Sequence, residues 1–123
     1  MDRTKRDISL LEKIAKHCSE IAETHAEFGD HRELFRPNKP YFKSVSMDLL
    51  QIGELANHLS KDFRQKHNDI PFTQIIGMRN IVAHGYGKLT AETVWSISHN
   101  DAPLLHIRCL EILTEIENNK KTI

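Results

Sequence analysis

Apolar side chains recur in steps of three and four along this chain, the spacing of residues that share one face of an α-helix. Four stretches show this pattern, at Ile8, Leu11, Ala15, Cys18 and Ala22, flanked by Ile14 and Ile21; at Phe42, Val45, Leu49, Ile52, Ala56, Leu59 and Phe63; at Phe72, Ile75, Ile76 and Ile81 or Val82; and at Leu105, Cys109, Ile112 and Ile116. No alternating strand pattern or internal repeat accompanies them. The sequence therefore predicts an all-α fold, an antiparallel bundle of four to five helices.

Turn and capping residues define the predicted ends of these helices. The sequence Phe28-Gly29-Asp30 ends the first helix, and Pro71 suits the first position of the third. We predict that Thr90 caps a fourth helix and that Asp101 caps a restart of the chain before Pro103. The second stripe is interpreted as one helix without a break.

Gly53 lies inside the second predicted helix, beside an apolar stripe position. A glycine there destabilises the helix by about 1 kcal/mol relative to alanine, so we expect that another helix approaches closely at this point. The neighbouring Glu54 is interpreted as a salt-bridge or hydrogen-bond partner, with Arg79 as the group it orients, and not as a catalytic base.

Composition indicates one soluble globular domain spanning residues 1–123, with 39% hydrophobic and 28% charged residues. The formal net charge is zero, which argues against a strongly basic RNA-binding surface but not against a local basic site. The charged run at residues 61–67 is interpreted as a helix end, with an auxiliary RNA-backbone patch as the alternative. The two cysteines predict reduced core thiols of a cytoplasmic protein. No signal peptide or membrane span is predicted, so we expect no membrane partner.

The chemistry-bearing residues concentrate at the end of the third predicted helix, in the segment Gly77-Met78-Arg79-Asn80-Ile81-Val82-Ala83-His84-Gly85-Tyr86-Gly87. Arg79 carries a permanent charge and a fork of donors suited to a phosphate. His84 is the side chain whose charge changes near neutral pH. A cation that holds a phosphate and an imidazole that moves a proton suffice to cut RNA without a metal.

The spacing of Arg79 and His84 poses a geometric problem. Five residues along a helix separate two side chains by roughly 140° around the axis and about 7.5 Å along it. The two groups converge only if the Arg79 stem reaches round the helix, if the helix breaks at Gly85, or if a second copy of the chain supplies one of them. The third alternative predicts a dimer with its site between the subunits.

The seven other histidines are scattered, and the sequence contains no Cys/His cluster with zinc spacing. We interpret them as solvated or hydrogen-bonded side chains and predict no metal and no cofactor. Trp95 is interpreted as a core residue, with stacking on an RNA base as the minority alternative.

The chain resembles the HepT-like ribonuclease toxins of the HEPN superfamily over most of its length. The resemblance is carried by Gln51-Ile52-Gly53-Glu54-Leu55-Ala56, Ile70-Pro71, Ile75-Ile76-Gly77-Met78-Arg79-Asn80, His84-Gly85-Tyr86-Gly87, Val94-Trp95 and Asn100-Asp101. The family motif R-x-x-x-x-H-x-Y is met at Arg79, His84 and Tyr86. Phe72 stands where the family usually has Trp, and Ala102 replaces a larger aliphatic residue; both departures lie outside the motif.

This resemblance implies a single HEPN-like domain that forms a homodimer or a higher heterocomplex and cleaves RNA, with tRNA or mRNA as substrate. Arg79 and His84 are the implied catalytic residues, and Asn80 is auxiliary. The implied partner is an MntA-like nucleotidyltransferase antitoxin that attaches AMP to Tyr86 and so neutralises the toxin. Packing of the tyrosine on a helix end is the structural alternative for Tyr86.

Two other functions compete with the ribonuclease. A catalytically inactive HEPN-type dimer would present Arg79 and His84 to a nucleotide, an RNA or a protein without cutting anything, and the zero net charge favours it slightly. A purely structural bundle explains the apolar stripes but not the crowding of Arg, Asn, His and Tyr at one helix end.

Overall fold

A computed structural model describes the backbone of residues 3–84 and 88–121, and the side chains of residues 3–79 and 91–120. Within these ranges the chain is helical, with short connections. The helices are α1 (Arg3–Glu27), α2 (Arg32–Phe35), α3 (Lys39–Asn57), α4 (Lys61–Lys66), α5 (Phe72–His84), α6 (Lys88–Ser96), a π-helical turn (Ile97–Asp101) and α7 (Ala102–Lys121). The predicted all-α bundle is confirmed: α3 packs between α1 and α5, and α7 packs on α1.

The core lies between α1, α3, α5 and α7, where the predicted apolar stripes meet. Of the residues that the stripes predicted, the structure buries Leu11, Ile14, Ala15, Cys18, Ile21, Val45, Leu49, Ile52, Ala56, Leu59, Phe72, Ile75, Leu105, Cys109 and Ile112. In α1 the buried face is centred on Ile14 and Ile21, whereas Ala22 is exposed. Both cysteines are buried and unpaired, as predicted, and burial raises the pKa of each thiol to about 12.

The prediction of one unbroken second helix was wrong, because α3 ends at Asn57 and α4 begins at Lys61. Ser60 caps α4, since its Oγ accepts a hydrogen bond from the Phe63 N–H at 3.1 Å. The buried carboxylate of Asp7 accepts hydrogen bonds from the Ser60 N–H and O–H at 2.9 and 2.7 Å. This long-range clamp fixes the break, and the helical spacing of the apolar residues gives no sign of it.

Two predicted caps near α6 were also wrong. Helix α6 begins at Lys88, two residues before Thr90, so Thr90 lies in its first turn and does not precede it as a cap. Asp101 ends a π-helical turn that joins α6 to α7 without a break in the helical path. Pro103 follows at the second residue of α7, where the change from π to α pairing accommodates its missing N–H. None of the described helices has both the length and the apolar character needed to cross a bilayer.

Candidate functional site

The middle of α5, at Ile75 and Arg79, lies against α3 at a point of very close backbone approach. A Cβ atom built on Gly53 would lie 2.8 Å from Cγ of Arg79 and 3.1 Å from the carbonyl oxygen of Ile75. The first distance is shorter than real Cβ atoms show and the second is tighter than most, so a larger residue here would have to displace Arg79 or the α5 backbone. The expectation that Gly53 admits a second helix is confirmed, and that helix is the one that carries Arg79.

Arg79 is held from two sides at this crossing. Its stem passes over Gly53, and its Nη1 donates to Oε1 of Glu54 at 3.0 Å. The expectation that Glu54 orients Arg79 is therefore confirmed. The two side chains remain 31% and 47% exposed, so solvent and ligands reach the pair.

The guanidinium of Arg79 is only partly satisfied. Its Nε is buried and has no hydrogen-bond partner among the described residues. A guanidinium has five N–H donors in one plane, and a buried donor without a partner costs free energy unless a ligand or water accepts from it. Glu54 holds one corner of the plane, and the exposed part of the side chain is the part that an incoming acceptor can reach.

The other motif residues are described only in part. Asn80 and His84 lie within α5, but their side chains are outside the described residues, and Tyr86 lies wholly outside them. The backbone nevertheless shows how positions 79 and 84 are arranged around the helix axis. Because α5 is helical through residue 84, positions 79 and 84 keep the roughly 140° separation of a regular helix.

A cavity of about 480 Å³ opens beside α6, lined by Arg32, Glu33, Phe35, Arg36, Pro37, Ala91, Glu92 and Trp95. Trp95 is partly buried and packs against the core beside Phe35, so its interpretation as a core residue is confirmed only in part, and its remaining surface faces this cavity. The two arginines of the lining are accompanied by two glutamates. The cavity is therefore not a strongly basic groove, in keeping with the net charge of the chain.

A cluster of polar side chains around His25 was not predicted from the sequence, because its members are distant in the chain. His25 is buried between Tyr41 and Ser98, and Asp30 lies 2.6 Å from His99. The interpretation of these histidines as hydrogen-bonded is confirmed. No local spacing links residues 16 to 73 positions apart, so a single sequence gives no signal for this group.

Comparison with known proteins places the geometry in a family context. The model of the family "Ribonuclease HepT-like" matches residues 10–112 of this chain. A "Putative RNase" of Methanocaldococcus jannaschii is 31% identical over 101 residues, which cover 81% of this chain and 91% of that protein. A "Putative RNase" of Caldanaerobacter subterraneus subsp. tengcongensis is 36% identical over 84% of this chain and 90% of its own length. A "Probable ribonuclease HepT" of Thermococcus cleftensis is 30% identical over 85% of this chain and 92% of its own length. No solved structure matches the chain significantly.

Proposed function

The chain belongs to the HepT-like ribonuclease family, and on that premise we propose that it is a metal-independent endoribonuclease, the toxin of a toxin–antitoxin pair. Arg79 and His84 are its catalytic residues in this proposal. The observation that carries it is the placement of Arg79, a cation that Gly53 and Glu54 position and whose side chain stays 31% exposed to solvent and ligands. Such a group is prepared to receive the oxygens of a phosphodiester.

The proposed reaction is an internal transesterification of RNA. His84 removes the proton from a ribose 2′-OH, and the 2′-oxygen bonds to the adjacent phosphorus. Arg79 stabilises the additional negative charge on the five-coordinate phosphorus. The bond from phosphorus to the 5′-oxygen then breaks, and a protonated imidazole returns a proton to this leaving oxygen. The products are a 2′,3′-cyclic phosphate and a 5′-hydroxyl, and the need for a 2′-OH restricts the reaction to RNA.

Two copies of the chain form the site in this proposal. The Arg79 stem lies on the α3 side of α5, and a continuous helix turns position 84 away from that side. One copy therefore does not present positions 79 and 84 in the same direction, which supports a homodimer whose two motifs face each other. Asn80 is assigned an auxiliary role in this arrangement, as a hydrogen-bond donor to His84 or to a phosphate oxygen.

Tyr86 is the proposed point of control. Attachment of AMP by a nucleotidyltransferase antitoxin adds bulk and a negative phosphate two residues after the catalytic imidazole, which repels an RNA phosphate. Mass spectrometry of the chain purified after co-expression with such an antitoxin should show one adenylyl group on Tyr86. An unmodified Tyr86 together with full neutralisation of the toxin would contradict this assignment.

The test of the activity is incubation of the purified chain with total RNA in the presence of EDTA. Wild type should produce fragments ending in a 2′,3′-cyclic phosphate, whereas His84→Ala should produce none while its circular dichroism remains that of wild type. His58→Ala, which removes an exposed histidine outside the motif, is the matched control and should cut like wild type.

The inactive binding module remains the second candidate, favoured by the zero net charge. It predicts that wild type binds RNA or nucleotide, that His84→Ala binds more weakly, and that neither yields fragments. Cleavage by wild type in EDTA, lost in His84→Ala, would remove this alternative.

A further inference from the structure

The end of α1 and the π-helical turn bring together three side chains with the ligand chemistry of a zinc site. One ligand atom from each of His25, Asp30 and His99 lies within 4.8 Å of the other two. Oδ1 of Asp30 is 2.6 Å from His99 Nε2 and 3.8 Å from His25 Nδ1. Tetrahedral zinc with bonds of about 2.05 Å separates its ligand atoms by about 3.3 Å, a value between these two distances.

The far nitrogen of each imidazole has a partner that orients its ring. His25 Nε2 donates to Ser98 Oγ at 2.9 Å, and the Ser98 hydroxyl donates to the Trp95 carbonyl at 2.9 Å. His99 Nδ1 donates to the same carbonyl at 3.0 Å. Zinc-bound histidines characteristically donate their other N–H to such an acceptor, which fixes the ring. In this structure the remaining nitrogen of His99 faces Asp30, whereas that of His25 accepts a hydrogen bond from the Tyr41 hydroxyl.

The backbone positions these groups through two uncommon conformations. The π-helical turn carries both Ser98 and His99, and single π turns occur frequently at functional sites. Asp30 has a φ of +55°, in the left-handed region that few residues other than glycine adopt, and this conformation follows Gly29 at the end of α1. The carboxylate thereby lies opposite the two imidazoles, at a cavity of about 420 Å³ that His106 also lines.

We propose that His25, Asp30 and His99 form a Zn²⁺ site, with a water molecule as the fourth ligand. Two imidazoles and one carboxylate suit zinc among the biological divalent ions. Zinc would replace the proton that now lies between His99 and Asp30, and the hydrogen bond from the Tyr41 hydroxyl to His25 Nδ1. Because the three ligands come from α1, the loop after it and the π turn, the ion would tie together two segments that are distant in the chain.

A second group, His17, Glu20 and Asp48, is a weaker candidate. It offers one imidazole and two carboxylates, and both carboxylates approach the same ring nitrogen, His17 Nδ1, at 3.5 and 2.9 Å. That arrangement is an ordinary hydrogen-bonded ion pair. This group serves as an internal control, because His17→Ala would affect metal binding there, whereas Asp30→Ala and His99→Ala would affect metal binding at the proposed site.

The test is titration of the untagged, chelator-treated chain with Zn²⁺ by calorimetry and with Co²⁺ by visible absorption. Wild type should bind one ion, and Co²⁺ should give the intense visible bands of a tetrahedral site. Asp30→Ala and His99→Ala should each weaken binding by at least about 100-fold, and Ser98→Ala by about 10- to 100-fold, since it removes only an orienting partner. Zinc should also raise the melting temperature of wild type and not that of Asp30→Ala.

His58→Ala and His17→Ala serve as controls and should retain wild-type affinity. Asp30→Ala changes an exposed side chain, so it still tests zinc binding at this site if His99→Ala fails to fold. Absence of binding by wild type, equal affinity in Asp30→Ala, or loss of binding in His17→Ala alone would each overturn the proposal. All of these readouts are independent of RNA cleavage.

Discussion

Helix α3 packs against α1 on one side and against α5 on the other, and among the described side chains each interface contains one ion pair. On the α1 side, Asp48 is buried and lies 2.9 Å from His17 Nδ1. Burial raises the pKa of the Asp48 carboxyl to about 6, in spite of the hydrogen bond from His17, which lowers it. On the α5 side, Gly53 removes the side chain that would separate the helices, and Arg79 with Glu54 stays half-exposed.

The difference in exposure distinguishes a contact that mainly holds two helices together from one that a ligand can reach. His17 and Asp48 are 24% and 11% exposed, less than Arg79 and Glu54 at 31% and 47%, so this pair mainly joins α1 to α3. Arg79 donates one nitrogen to Glu54, and its side chain stays 31% exposed, so a ligand can reach the guanidinium. A close helix crossing at a glycine thus presents a cation to a substrate without the full cost of burying it.

The largest expected effect is on the α5 side. Arg79→Ala should lower kcat for RNA cleavage by roughly 10²- to 10³-fold, because one positioned donor to the transition state contributes about 3–4 kcal/mol. Arg79→Lys should rescue little, since an ammonium lacks the planar fork. Arg108→Ala is the matched control: that guanidinium pairs with Asp69 and Glu111 on the surface. Equal cleavage by Arg79→Ala and Arg108→Ala would remove Arg79 from the mechanism.

The next effect concerns the α1 side and depends on pH. The pKa of Asp48 is raised from 3.8 to about 6 in the folded chain, so its contribution to stability is present at low pH and is lost as pH rises through about 6. Asp48→Asn does not titrate. Its free energy of unfolding relative to wild type should therefore rise by about 2 kcal/mol between about pH 4.5 and about pH 8, measured by urea unfolding. A difference that does not change with pH would contradict the enclosed state of this carboxyl.

A pair of glycine variants tests the close crossing itself. Gly53→Ala should destabilise the chain by about 1–2 kcal/mol, because the added methyl group meets Arg79 and the α5 backbone and outweighs the gain in helix propensity. Gly77→Ala, also within a helix, meets nothing within 4 Å and should stabilise by up to about 1 kcal/mol. Thermal unfolding of both variants measures the two changes in stability and shows whether their signs are opposite. Stabilisation by Gly53→Ala as well as by Gly77→Ala would mean that the crossing is looser than described.

The smallest stability effect is expected for Glu54→Gln. The ion pair with Arg79 is half-exposed, so its loss should change the free energy of unfolding by less than about 1 kcal/mol. Its effect should appear in catalysis instead, as a lower kcat from a less well oriented guanidinium. A stability loss without any change in kcat would make Glu54 a purely structural partner.

The sequence predicted features whose signal is local. Helical spacing located most of the buried faces. The close helix contact at Gly53 was predictable because glycine destabilises the interior of a helix unless it serves such a contact. The sequence did not reveal the Asp7–Ser60 clamp or the grouping of His25, Asp30 and His99, because these contacts join residues 53 to 73 positions apart in the chain. The π-helical turn was also missed, since Asp101 and Pro103 resemble the start of a new helix.

The central claim is that Arg79 of one copy and His84 of another meet at one phosphodiester. Mixing subunits tests it most directly: Arg79→Ala and His84→Ala, each inactive alone, are unfolded together, refolded as a mixture and assayed on RNA in EDTA. Half of the dimers then pair one variant with the other and contain one site with both groups intact, so activity should return to about a quarter of the wild-type value. A mixture as inactive as its two components would contradict a site shared between two subunits.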